Sequence, residues 1–564
     1  KPQTQDPISL NAMISTETHA EVNATGGWDI NDIVSTGILF HAQNMSLELD
    51  HNHDGFLDMP KNTNINLLNR WYVKTDDYTG QFLVRGLYDR RQGGQTKDAL
   101  ALSPFASTPY HIDLNTWRVD GFMKNGYVFN HDLGTSIGII ASASYHNQQN
   151  TYGLRQWNAA QTNAYLNAIF QTSFDDSASD PWDNHQHKLS AGISVNYDKY
   201  DESLSPFALS PNSLITSQME VTPGVFAEYT YTYKDKLTLL AGIREDYSTR
   251  YGFFTTPRMN VRYAPFEWWT LRGSVGLGYR TPNAIADNAA FLSSNREFSQ
   301  FLPTDELTVL GTMNLAQERS MNTGISTVFY IPMGKRELQL SGEYYYTKFL
   351  DGVIADMDRS LHGITLYNMH DVEGAKYFSH NWQVEASMEI LRGWTMTAAF
   401  RYTDVKQTTF NTVANEYQLR DKPLQNKFKG IITTSYQTPL KTWQFDLTAQ
   451  FNGAGRMPDG FAIPEGSNQY FTDEIGQIHH KWYPQLLGQV TKFFRTWSIY
   501  LGAENMTNFT QDNPIVGERL QAKGVKHGGF VNPHSANYDA SMIWAPIHGW
   551  KLYLGFRWAL ERAE

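Results

Sequence analysis

Apolar and polar residues alternate along most of this chain with a period of two, the mark of β-strands whose two faces meet different surroundings. Several segments share one layout, in which a short polar turn is followed by Trp and then by strict alternation. After Arg392-Gly393 one face carries Trp394, Met396, Ala398 and Phe400, and the other Thr395, Thr397 and Arg401. After Lys441-Thr442 the apolar face is Trp443, Phe445, Leu447, Ala449 and Phe451, opposed by Gln444, Asp446, Thr448 and Gln450. Trp497, Ile499, Leu501 and Ala503 repeat the pattern, as do Trp550, Leu552, Leu554, Phe556 and Trp558.

Carried along the whole sequence, the pattern predicts strands near 7–15, 19–28, 33–48, 62–74, 80–92, 114–127, 135–149, 160–174, 186–200, 221–234, 237–249, 256–264, 268–280, 317–330, 336–350, 377–390, 394–406, 427–438, 442–452, 484–494, 497–508 and 537–545, with a closing strand at 550–559. Within one hairpin that is about 22 strands. They are long, where strands of soluble proteins run to about 5–6 residues. The connections alternate between very short (Phe266-Glu267, Arg392-Gly393, Pro439-Leu440-Lys441) and very long (281–315 and 452–482). Trp and Tyr recur where strands leave the short turns, as an interfacial aromatic girdle requires. A soluble sandwich or propeller would alternate too, but would not combine these three features. The expected fold is all-β: a transmembrane antiparallel β-barrel of about 22 strands with short periplasmic turns and long extracellular loops, filling residues 1–564 as one domain.

Composition narrows the function. Among 564 residues there is no Cys, which excludes a disulfide framework, a Cys zinc site and a Cys nucleophile. The net charge of -11 gives no general attraction for nucleic acid. No apolar run approaches the ~18–20 residues of a spanning helix, so the membrane must be crossed by strands. Aromatics at 14% against 41% hydrophobics suit many two-faced strands better than several thick cores. No Gly-x-Ser-x-Gly elbow, phosphate loop or His-Glu-x-x-His stands in a catalytic setting, and neither His480 nor His534 has a distinctive Ser nearby, so no enzyme is expected.

The sharpest local motif is Asp50-x-Asn52-x-Asp54-Gly55-x-x-Asp58. Oxygen ligands at positions 1, 3, 5 and 9, Gly at 6 and the Phe56 carbonyl at 7 are what Ca2+ needs from a compact loop, although position 12 is Lys61 where a bidentate Glu belongs. The competing reading is an Asx-rich turn that ends a strand. A bound ion would order an extracellular loop and would not be cargo. Imidazole and thioether side chains suit borderline and soft metals. His51 and His53 flank the oxygen positions, Met357 and His362 lie near a hairpin tip with Met369-His370 beyond, and Met457 and His479-His480 occupy a later loop. Convergence at the mouth would make a transition metal, or haem through an axial His, a plausible ligand. Arg272, Arg280, Asp446, Lys551 and Arg557 on inward faces fit the polar lumen of any large barrel. Trp71, Trp157 and Trp182 are candidate stacking residues only if they face the external loops.

Gly278-Tyr279-Arg280-Thr281-Pro282-Asn283, Asn314-Leu315-Ala316-Gln317-Glu318-Arg319-Ser320, Pro423-Leu424-Gln425-Asn426-Lys427 and Ala503-Glu504-Asn505-Met506-Thr507-Asn508-Phe509 resemble the barrel signatures of TonB-dependent outer-membrane receptors. The stretch from Leu49 to Pro60, followed by Leu67-Leu68-Asn69-Arg70-Trp71, is similar to Bacteroidetes members. Two departures stand out: the Asn-Pro-x-Leu box is reduced to Asn314-Leu315, and Glu561-Arg562-Ala563-Glu564 follows the last aromatic strand. The resemblance implies a bacterial outer-membrane protein and a plug domain N-terminal to residue 1, with Lys1-Pro2 at the junction. It further implies import of a scarce solute energised by the TonB–ExbB–ExbD complex, in contact with membrane lipid and lipopolysaccharide, and with a surface lipoprotein as an optional partner. A metal ion or metal chelate such as a siderophore comes first among expected cargoes, haem or cobalamin second, a glycan or peptide third.

Overall fold

The computed structural model describes residues 6–102, 109–174, 185–205, 214–301, 307–309, 315–520 and 530–560. Its main sheet closes on itself. The first strand, Ile8–Ser15, pairs antiparallel with the last, Lys551–Leu560, from Ile8 opposite Leu560 to Ser15 opposite Tyr553. Every other strand pairs with its sequence neighbour, as in an up-and-down barrel. Gly252–Thr255 and Arg258–Phe266 both pair with Leu237–Ser248 and form one stave broken at Thr256-Pro257. Glu416–Asp421 and Phe428–Gln437 likewise share Trp394–Asn411. Counted this way, the 24 segments of the sheet make 22 staves, the expected architecture. Closure leaves no unpaired edge inside the membrane, where each unsatisfied backbone group would cost several kcal/mol.

The wall is turned inside out relative to a soluble protein. Leu447, Leu501 and Leu554, on predicted apolar faces, are 42%, 56% and 47% exposed, while Ser498 and Thr491 are buried on the opposite faces. A continuous outer band of this kind needs lipid to cover it. On the inner face the predicted polar residues pair with one another: Lys551 with Glu504 at 2.8 Å, Arg280 with Glu318 at 2.6 Å, and Asp446 with Ser435 at 2.6 Å. Tyr500 lies across from Gly555 and Tyr553 from Gly502. A Cβ on Gly555 would stand 2.0 Å from the Tyr500 ring, so only glycine leaves room for that aromatic to lie flat on the wall.

The packed core of the molecule lies outside the membrane band. It is built from the long loops at one end, 281–317, 352–376, 453–482 and 505–550, resting on the strand ends at Tyr152, Trp157, Leu204 and Tyr483. These loops carry small sheets of their own. Glu297–Phe301 runs parallel to Gly363–Asn368, and Ile478–His480 pairs with both Gly455–Arg456 and Tyr470–Thr472.

One expected strand is absent. Residues 537–545 form no strand; they run irregularly through this core, burying Tyr538, Met542, Trp544 and Ala545. Their alternation comes from one-sided burial in a loop and not from lipid. The connection before the last strand is therefore the long segment 505–550. Among the described residues helix is confined to Lys97–Leu102 and two 3-10 turns, Ala286–Ser293 and Met369–Asp371. Asn314, Trp182, Lys1 and Pro2 lie outside the described residues.

Candidate functional site

Buried ion pairs lock the long loops into one cap. Arg296 meets Asp539 at 2.7 Å and donates to the carbonyls of Met357, Ser360 and Gly363, so one guanidinium ties three loops together. Arg155, at the start of its strand, donates to the carbonyls of Ser294 and Arg296. Arg456 grips Asp358 with two bonds, of 2.5 and 3.1 Å, and Arg420 holds Asp459 at 2.6 Å. Asp358 and Arg456 are almost wholly buried, and a pair of this kind depends on both partners being present.

The predicted cation loop folds onto its own amides. Asp50 accepts the Asp54 and Gly55 N–H groups, Asn52 Oδ1 accepts Asp54 N–H, and Asp54 Oδ1 accepts Phe56 N–H at 2.9 Å. Gly55 adopts φ +87°, and a Cβ there would lie 2.7 Å from Phe530, which accounts for glycine at the sixth position. Phe56 packs against Tyr110 and Tyr538. Burial pushes the Asp54 carboxyl up to about 7, against the Phe56 N–H that favours the anion, and the Asp50 charge adds to the rise. Asp58, the fifth predicted ligand, also meets His51, whose backbone N–H and Nδ1 lie 2.8 and 2.9 Å from Asp58 Oδ2. Lys61, at the twelfth position, pairs with Glu48.

The Met and His candidates divide between core and surface. Met357, Met369 and Met457 are buried in the cap. His480 is fully buried, stacked on Trp544 with ring centroids 4.2 Å apart, and burial pulls its pKa down to about 4. His479, its neighbour on the strand, points the other way and meets Asp473 at 3.0 Å. His362 is exposed beside the Ala536 carbonyl, and His370 is exposed beside Asp351. Trp157 is buried and donates to Glu202 at 2.8 Å, while Trp71 is exposed on the outer wall.

The structure also gathers residues that no local motif links. Glu17, in the turn after the first strand, lies 3.2 Å from His548, which comes just before the last strand. The His548 and His51 rings stand edge to face at 4.8 Å, and ligand atoms of His51, Asp58 and His548 all lie within 4.8 Å of one another. A cavity of about 460 Å³ adjoins them, lined by Thr16, Glu17, His51, Asn508, His548 and Trp550 among others.

Residues 50–506 match the family model described as TonB dependent receptor-like, beta-barrel. No curated protein matches the chain. Solved structures share the fold at low identity. The siderophore receptor PirA from Pseudomonas aeruginosa is 11% identical with a TM-score of 0.60, over 99% of this chain and 81% of that one. The ferric enterobactin receptor PfeA from the same organism is 12% identical (TM-score 0.66, 98% and 80%), and the FrpB iron transporter from Neisseria meningitidis is 12% identical (TM-score 0.64, 98% and 81%).

Proposed function

Because the chain belongs to the TonB-dependent receptor-like β-barrel family, whose members are transport receptors of the outer membrane and not enzymes, we propose that it forms the shell of an active importer of a scarce, bulky solute, with a metal chelate as the favoured cargo. The observation that carries this reading is the cap: long loops with their own buried core and ion pairs stand over a closed 22-strand wall, a build suited to capturing a solute too large for a simple pore. Siderophore and iron receptors among the structures of like fold support the choice of cargo. Gating of this kind needs a plug in the lumen and energy from the TonB complex. Exposed His362 and His370 are the predicted cargo contacts that remain accessible; the three Met side chains are committed to packing. The 50–58 turn is a structural clamp of the mouth, which Ca2+ held by Asp50, Asn52, Asp54 and the Phe56 carbonyl would tighten.

The test is uptake of radiolabelled ferric citrate and a ferric catecholate chelate by cells that do or do not produce the full-length protein. Saturable accumulation that a protonophore abolishes is the expected result. Accumulation indifferent to the protonophore, or equal in cells lacking the protein, would overturn the reading.

A further inference from the structure

We propose that His51, Asp58 and His548 form a binding site for a divalent transition-metal ion at the seam where the barrel closes, with Glu17 orienting His548. The four residues come from three stretches: the turn after the first strand, the 46–60 loop and the approach to the last strand. His548 Nε2 faces Glu17 Oε1 at 3.2 Å, which makes Nε2 the protonated nitrogen and leaves Nδ1 with a bare lone pair. That Nδ1 is buried and has no hydrogen-bond partner, while the Glu17 carboxylate, on a side chain only 4% exposed, is itself held by the Thr16 hydroxyl at 2.7 Å. An imidazole whose one nitrogen is held by a carboxylate and whose other points at nothing has the arrangement of a metal-ligating His with its orienting acid.

The remaining donors stand beside it. The Asp58 side chain is 1% exposed, and the ligand atoms of His51, Asp58 and His548 lie within 4.8 Å of one another. Metal–nitrogen and metal–oxygen bonds of about 2.0–2.2 Å set tetrahedral ligand atoms roughly 3.4 Å apart, so small side-chain rotations draw the three onto one ion. The simpler account, two separate His–carboxylate pairs, leaves the buried His548 Nδ1 unexplained.

Two imidazoles and one carboxylate, with no thiolate, select a borderline divalent ion such as Zn2+, Ni2+, Cu2+ or Fe2+ over Ca2+ or Mg2+, which take oxygen ligands. Three protein ligands beside a cavity of about 460 Å³ leave a coordination position for water or an outside ligand. The site stands apart from the import reading, since a resident ion and a passing one would both use it.

The test is a Co2+ titration of the full chain folded in detergent micelles with excess Ca2+, read by visible d–d absorption, then displacement by Zn2+. One saturable equivalent of four- or five-coordinate Co2+ is expected. His548→Ala and Asp58→Ala should weaken binding beyond the ~10–100-fold loss expected for Glu17→Gln, while His131→Ala, whose imidazole pairs with Asp77 near a short turn at the opposite end, should leave it unchanged. Strand circular dichroism and heat-modifiable gel migration check each fold. Should His548→Ala fail to fold, His51→Gln and Glu17→Gln carry the same test. Absence of saturable absorption, or full affinity in folded His548→Ala or His51→Gln, would overturn the proposal, whatever the uptake experiment finds.

Discussion

On acidification His480 should work against the closed cap, opposite in sign to the buried Asp54 and Asp356 carboxyls, which burial pushes up to about 7 and about 6. His480 sits at the end of Ile478–His480, the middle strand of the small loop sheet, with its ring on Trp544 and Nδ1 donating to the Lys481 carbonyl at 3.1 Å. Nε2 is buried without a partner, so a second proton would place an uncompensated charge in the core. Burial therefore lowers the folded-state pKa from 6.5 to about 4. Between those values the open loop takes up a proton that the closed loop refuses, so the His480 contribution to closed-state stability is fully present above about pH 6.5 and is lost as the pH falls towards about 4. At ~1.4 kcal/mol per pH unit the loss is about 3 kcal/mol. His480→Phe keeps the stacking, drops the Lys481 bond and removes the titration, so its cap should be nearly as stable as wild type at pH 7.5 and more stable at pH 4.5. The assay is hydrogen exchange of the 453–482 amides, with protection corrected for intrinsic rates, at both pH values. A change in opening free energy between the two pH values that is the same in His480→Phe as in the wild-type protein would refute the reasoning.

Replacing Arg456 with Met strips Asp358 of its two-bond partner, and the cap should lose about 3–5 kcal/mol, read as faster exchange across 352–376 and 453–482 with unchanged strand circular dichroism. Leu447→Lys puts a charge on the lipid face and should cost about 2–4 kcal/mol in a urea titration in vesicles if it lies at mid-membrane, whereas Thr448→Lys, on the opposite face, should cost far less; equal costs would contradict the assignment of the two faces. Gly555→Val should drive the Tyr500 ring off the wall and break its 2.9 Å bond to Asn11, with a loss of about 1–3 kcal/mol by the same titration.

What could be read in the sequence follows from where each residue finds its surroundings. Trp443 to Phe451 read correctly as a strand because lipid on one side and lumen on the other impose the period of two directly on that segment. The 537–545 segment failed the same test in reverse, because burial of Tyr538, Met542 and Trp544 in a loop core produces alternation with no strand behind it. Adjacent residues on a strand face opposite ways, and His479 and His480 do so, but which of them turned inward was decided by Trp544, 64 residues later. The contact between Glu17 and His548 spans 531 residues and exists only because the barrel closes. A pairing made by topology leaves no local spacing to read.

Wall and cap are held together by different means. The wall is held by a closed hydrogen-bond ladder and an outer band covered by lipid. The cap is held instead by a few indispensable pairs, Arg296 with Asp539 and Arg456 with Asp358, packed among apolar side chains as in a small soluble domain. Substitutions on the exposed face of the cap should thus leave the barrel closed, provided those pairs survive. The seam residues link the two, for His548 meets Glu17 in the turn after the first strand and His51 in the 46–60 loop. An ion drawn between His51, Asp58 and His548 would tie the 46–60 loop to the approach to the last strand, beside the seam where the wall closes.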